Sequence, residues 1–147
     1  MNVYKQYIFL PVFLCVILTA CDSNNTEDAT NEVRLFHKQY NEGSFNYIYN
    51  NMTSMSFKKA TSQSDYISFM KKNAQLLGEY QFGRLIKEDK VQVLIGDNNV
   101  RLTLHSTYDN YELDELFVIK KENGKDKIQQ IIYDMVHAVK ITNRTQE

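Results

Sequence analysis

The apolar residues of this chain change their spacing once, near Tyr80. Before that point they recur at helical intervals; after it they alternate as on a strand. Val33, Phe36, His37 and Tyr40 stand at i, i+3, i+4 and i+7, one face of a helix within residues 29–42. Gly43 is suited to stop that helix as its C′ residue. Ser44 can cap a second, shorter helix carrying Phe45, Ile48, Tyr49 and Met52 at the same spacing. Ser62-Gln63-Ser64-Asp65 fits a capping box, and Tyr66, Phe69, Met70, Asn73 and Leu77 continue the stripe up to Gly78. Three amphipathic helices are expected in the first half.

The second half reads as a meander. Val91, Val93 and Ile95 alternate, and Gly96-Asp97-Asn98-Asn99 forms a turn cluster. Val100, Leu102 and Leu104 alternate with Arg101, Thr103 and His105, which points outward. Asp109-Asn110 marks another turn. Tyr111, Leu113, Phe117 and Ile119 share a face, and Asn123-Gly124 closes a third hairpin. Ile128 to Met135 reads as the last strand. Helices this short are marginal alone, so their stripes must pack on the sheet. The fold class is α+β: N-terminal helices packed on an antiparallel sheet of about four strands. Residues 29–135 form this single domain, and 136–147 form a C-terminal extension that turns polar after Ile141 and is expected to fray.

Several stretches carry a family resemblance. Tyr40-Asn41-Glu42-Gly43-Ser44-Phe45 is similar to a first helix exit, Leu77-Gly78 to a break before the sheet, and Glu115 to Lys125 with Ile128 to Tyr133 to a penultimate strand, hairpin and last strand. In that order they resemble the nuclear transport factor 2-like superfamily, also called cystatin-like. The likeness rests on element order, and Asp126 and Lys127 stand where that superfamily often has Trp. It implies a curved, cone-like sheet cradling the helices. It also implies a habit of homodimerisation and, in ketosteroid-isomerase-like members, a cavity carboxylate acting as a base.

The N-terminus carries a different message. Fifteen of the first 20 residues are apolar. The uncharged run Ile8 to Leu18 is too short to span a bilayer as a helix, and Lys5 precedes it, as in an export signal. The run ends Leu18-Thr19-Ala20-Cys21, which resembles the bacterial lipobox. The resemblance implies that residues 1–20 are a lipoprotein signal peptide, removed after acyl chains (palmitate among them) are attached to Cys21. More than one chain holds such a protein firmly to a membrane. Asp22 resembles the sorting residue that retains lipoproteins in the inner membrane of enteric-type bacteria. Residues 21–28 are polar and read as a tether, in which the seven residues after Cys21 reach at most about 25 Å. Cys15 leaves with the signal, so the exported domain has no pair of thiols for a disulfide.

Composition excludes more than it suggests. The net charge is −1 with 24% charged residues, so there is no basic footprint for nucleic acid. His37, His105 and His137 show no metal-ligand spacing. The five glycines form no phosphate loop, and no nucleophile elbow occurs. No cofactor is implied. His37 is expected to be a packing residue in its helical stripe. Lys120-Lys121 is read as protection of a sheet edge, and Lys58-Lys59 and Lys71-Lys72 as solvated faces.

Glu115 is the one acid that stands out, between Leu113 and Phe117 on an apolar face. It is a weak candidate for a base in the cone, with Tyr40, Tyr66, Tyr108 and Tyr111 as candidate cavity lining. The structural alternative places it at a bulge or pairs it with Arg84 or Arg101. The expected function is a membrane-anchored extracytoplasmic lipoprotein acting as a non-enzymatic binding or accessory module. One alternative is a small-molecule enzyme using Glu115. Another is an inhibitor or immunity-type lipoprotein presenting Tyr108-Asp109-Asn110-Tyr111-Glu112. A small ligand, a protein partner or a second copy of the chain are the partners considered.

Overall fold

The computed structural model describes residues 24–91 and 98–142. The export signal, Cys21 and Asp22 lie outside the described residues, as do Val93, Ile95, Gly96 and Asp97. Helix α1 spans Asn24–Asn41. It begins inside the stretch read as a tether, because Ala29 already opens the buried stripe that continues through Val33, Phe36, His37 and Tyr40. Gly43 (φ 65°) ends it in a Schellman arrangement, with Gly43 N–H donating to the Tyr40 carbonyl and Ser44 N–H to that of Gln39.

The second helix is composite. α2 (Phe45–Tyr47) runs directly into a π-helical turn at Ile48–Met52, and together they bury Phe45, Ile48, Tyr49 and Met52. Thr53 then forms a parallel bridge with Ile128, and Ser54 N–H donates to the Ile128 carbonyl. Ser54 also caps α3 (Met55–Ala60), a short helix that the apolar spacing does not announce, since only Phe57 packs inward. α4 (Gln63–Leu77) is capped by Ser62 as expected, with Tyr66, Met70 and Leu77 buried. Phe69 is the exception to that stripe, 48% exposed. No helix among the described residues is long and apolar enough to cross a membrane.

Strands β1 (Tyr80–Val91), β2 (Asn99–Tyr108), β3 (Tyr111–Glu122) and β4 (Lys125–Tyr133) form an antiparallel sheet in chain order. The β3–β4 turn has both central residues in the left-handed region, Asn123 at φ 53° and Gly124 at φ 76°, which suits the twist of a two-residue hairpin. Register shifts in β1–β2 and β3–β4 curve the sheet around the helices. The core lies on the concave face, where Phe36 meets Phe117 edge-on at 5.1 Å.

Two expectations change. The C-terminal extension does not fray at once: after β4 ends, β5 (Val139–Lys140) takes the vacated place beside the start of β3, and Ile141 N–H donates to the Asn110 carbonyl. Lys120 and Lys121 do not guard an edge, because β3 lies between β2 and β4. Lys120 faces Glu122 at 3.1 Å and Lys121 faces Asp28 at 3.2 Å. β1 forms a sheet edge, and Phe82, Leu85 and Ile86 are exposed along it.

Candidate binding site

Strand alternation turns Glu115 inward with Leu113 and Phe117, and its side chain is fully buried. A carboxylate held there must be met by donors. Tyr108 donates to Oε1 at 2.5 Å and Ser106 to Oε2 at 2.5 Å, while His37 Nε2 lies 2.9 Å from Oε2. The register places Leu104 opposite Glu115, so Ser106 sits on its diagonal on the same face. With Glu115 as the acceptor, Nε2 of His37 carries the proton. The His37 ring stacks on Tyr80, with centroids 3.7 Å apart and planes 8° apart, and meets Phe36 and Phe117 edge-on.

The surrounding phenols register both burial and the charge. Burial, then Glu115, pushes the Tyr108 and Tyr133 hydroxyls well above the usual phenol range. Burial raises Tyr40 in the same way, with Glu115 and Asp109 adding to it. Tyr80 is pushed up to about 12 by burial and then by Glu115. A recess of about 280 Å³ reaches His37 and Tyr80, but Glu115 does not line it. Backbone packs tightly here: a Cβ on Gly83 would come within 2.7 Å of the Tyr80 hydroxyl and 2.9 Å of Ser106 Oγ.

This arrangement departs from the sequence expectations in several respects. Arg84 and Arg101 are exposed and do not partner Glu115. His37 is buried as expected, but it is the carboxylate's partner rather than a packing residue alone. Of the four candidate tyrosines, Tyr108 alone bonds Glu115. Tyr40 packs edge-on against Tyr108 at 5.5 Å and donates to the Gly78 carbonyl. Tyr111 is half-buried at the start of β3, beside β5. Tyr66 belongs to another opening. Residue spacing does not mark Ser106, Tyr80 or His37 as site residues. The signal was a single polar residue in each of two otherwise apolar rows, His37 and Glu115, each needing a buried partner.

That other opening is a cleft of about 650 Å³ between α3, the first half of α4 and β4. Phe57, Tyr66, Phe69, Gln129 and Ile131 form much of its wall. Tyr66 is held by Phe57 edge-on at 5.5 Å and by Tyr49 at 5.6 Å. Its hydroxyl is buried without a hydrogen-bond partner, and so is Gln129 Oε1. Burial raises the Tyr66 phenol, which therefore stays protonated at neutral pH. Asp65 is the one charged side chain in the lining, and its Oδ2 accepts from the Ser62 hydroxyl.

Asn73 Nδ2, Asn99 Oδ1 and the Tyr133 hydroxyl are also buried without partners, whereas several other polar features are paired within the chain. The Tyr108–Glu112 turn is tied down: Asp109 accepts from Glu79 N–H at 2.8 Å and from Gln81 Nε2 at 2.7 Å, and Asn110 donates to the Leu76 carbonyl. His105 pairs with Asp114 and His137 with Asp134, both at 2.7 Å. A polar hollow of about 670 Å³ sets Asp28, Glu32 and Asp126 beside Lys121, Lys125 and Lys127. Among the described residues, no group of three His, Cys, Asp or Glu is arranged to hold a metal.

No family model matches this chain, and no characterised protein is significantly similar to it in sequence.

Proposed function

We propose that the chain is a lipid-anchored lipoprotein of the bacterial envelope whose α+β domain binds a ligand without transforming it. The observation that carries the non-catalytic part is the sealing of Glu115. A general base must come within hydrogen-bonding reach of its substrate's proton. Both oxygens of Glu115 are instead engaged by Tyr108, Ser106 and His37, and Glu115 itself has no solvent exposure. Phe36, Tyr108 and Phe117 are fully buried on the concave face around Glu115. An open, largely apolar volume lies at the aromatic cleft beside α3, α4 and β4, in the size range of small-molecule sites. The Leu18-Thr19-Ala20-Cys21 sequence supports the anchor, and the order of helices before a curved meander supports the cystatin-like resemblance.

Fractionation of bacterial cells expressing the full chain tests the anchor: the protein is expected in membranes, and Cys21→Ser is expected to release it. Continued membrane association of that variant would remove the lipoprotein reading. Glu115→Gln tests the second part. Ligand binding is expected to survive it in folded protein, whereas an activity abolished by it would restore the enzyme reading.

A further inference from the structure

The geometry points to a ligand class for the cleft between α3, α4 and β4: a flat, apolar molecule bearing an N–H or O–H donor and carrying a neutral or positive charge. This rests on the reading of the domain as a binding module. Three observations carry it. The first is the wall, in which Phe57, Tyr66 and Phe69 present aromatic surface on one side and Ile131 presents apolar surface on the other. Flat apolar bodies pack well against such rings.

The second is that two of the five buried side-chain polar atoms without partners among the described residues belong to the cleft lining. Tyr66 is 2% exposed, yet its hydroxyl has no hydrogen bond, and Gln129 Oε1 is likewise buried and unpaired. Buried polar groups are nearly always satisfied, so such exceptions call for a partner. Both side chains line the same cleft, with these two atoms covered, so a ligand meets them when the side chains turn toward it. Gln129 Oε1 is an acceptor and asks for a donor; the Tyr66 hydroxyl can give or accept. A hydrocarbon satisfies neither, whereas an amine or alcohol on a flat body satisfies at least one.

The third is charge. The lining contains Asp65 and no Lys, Arg or His, so an anion entering the cleft meets repulsion with no compensating cation. A cation there gains from Asp65 and from the faces of the aromatic rings.

The experiment uses the full chain carrying Cys21→Ser, with binding measured by calorimetry at neutral pH. The probes share one body: naphthylmethylamine, naphthalenemethanol, methylnaphthalene and naphthoate. The amine and the alcohol are expected to bind saturably. Methylnaphthalene is expected to bind about tenfold more weakly for lack of a hydrogen bond, and naphthoate weakest of the four. Tyr66→Phe and Gln129→Leu are each expected to weaken the amine about tenfold while leaving methylnaphthalene unchanged. Tyr66→Phe keeps the ring and supplies the readout should Gln129→Leu fail to fold. Naphthoate binding as tightly as the amine, or variants that move no probe, would overturn the ligand class while saturable binding left the binding module standing. No binding by any of the four would overturn both.

Discussion

Glu115 and Tyr66 are both polar groups buried beneath aromatic rings, and the fold treats them in opposite ways. Around Glu115 three donors from α1 and β2 converge, and the strands close over them. Around Tyr66 the rings of Tyr49 and Phe57 close in, but no donor or acceptor reaches the hydroxyl. The first is a finished polar network, in which low local dielectric strengthens each bond. The second leaves its desolvation cost uncompensated within the chain. Completed polar clusters hold a core together; incomplete ones beside an opening are where a ligand can contribute. The two therefore predict different responses to the same kind of substitution.

The largest effect is expected at the finished cluster. His37→Leu leaves the Glu115 charge without its imidazole and should cost about 3–5 kcal/mol in urea unfolding. A loss below about 1 kcal/mol would mean that the cluster is not a paired buried charge. The contrast sharpens with two matched deletions of a phenol hydroxyl. Tyr108→Phe removes a bond to Glu115 and should cost about 1–3 kcal/mol. Tyr66→Phe removes a hydroxyl that bonds nothing, so the cost should stay within about 0.5 kcal/mol or become a gain. Equal losses from the two would erase the distinction between the regions. Ser62→Ala, which uncaps the helix carrying Tyr66, should cost about 1 kcal/mol with the Glu115 cluster untouched.

The smallest effect is in pH dependence. Tyr80 titrates at about 12 in the folded chain, above an unfolded phenol near 10. Below about 10 both states keep the proton and stability is unaffected by this group. Above about 10 the unfolded state loses its proton first, so stability should fall as pH rises toward 12. Ultraviolet titration of Tyr80→Phe against the parent chain reads the phenol directly; a parent Tyr80 ionising near 10 would show that Glu115 and burial do not reach it.

Much of the fold was legible because local chemistry and tertiary structure agree. Gly43 and Ser62 end and begin helices by backbone geometry and capping, which are written in a few adjacent residues. Asn123-Gly124 specifies its turn in the same way. The inward row of β3, with Glu115 in it, follows from alternation alone. The misses have a common cause. α3 carries one packed apolar residue and is held by Ser54, whose own place depends on pairing with Ile128, far along the chain. β5 forms because β4 ends before β3 does, leaving an edge for Val139 to fill. The interior place of Lys120 and Lys121 is not legible in the sequence because edge or interior is a property of strand order, which alternation does not encode.

By itself, the sequence determined where helices give way to strands, which faces are apolar, and that one carboxylate stands in the apolar row of a strand. These follow from spacing and from the cost of burying charge. Only the tertiary structure decided what meets that carboxylate, since His37 and Glu115 are brought within 2.9 Å across 78 residues of chain by the packing of α1 on the sheet. The same packing left the Tyr66 hydroxyl and Gln129 Oε1 unmet beside an open cleft. Donor and acceptor pairing over such distances depends on how elements dock, and residue spacing along one element carries no record of it.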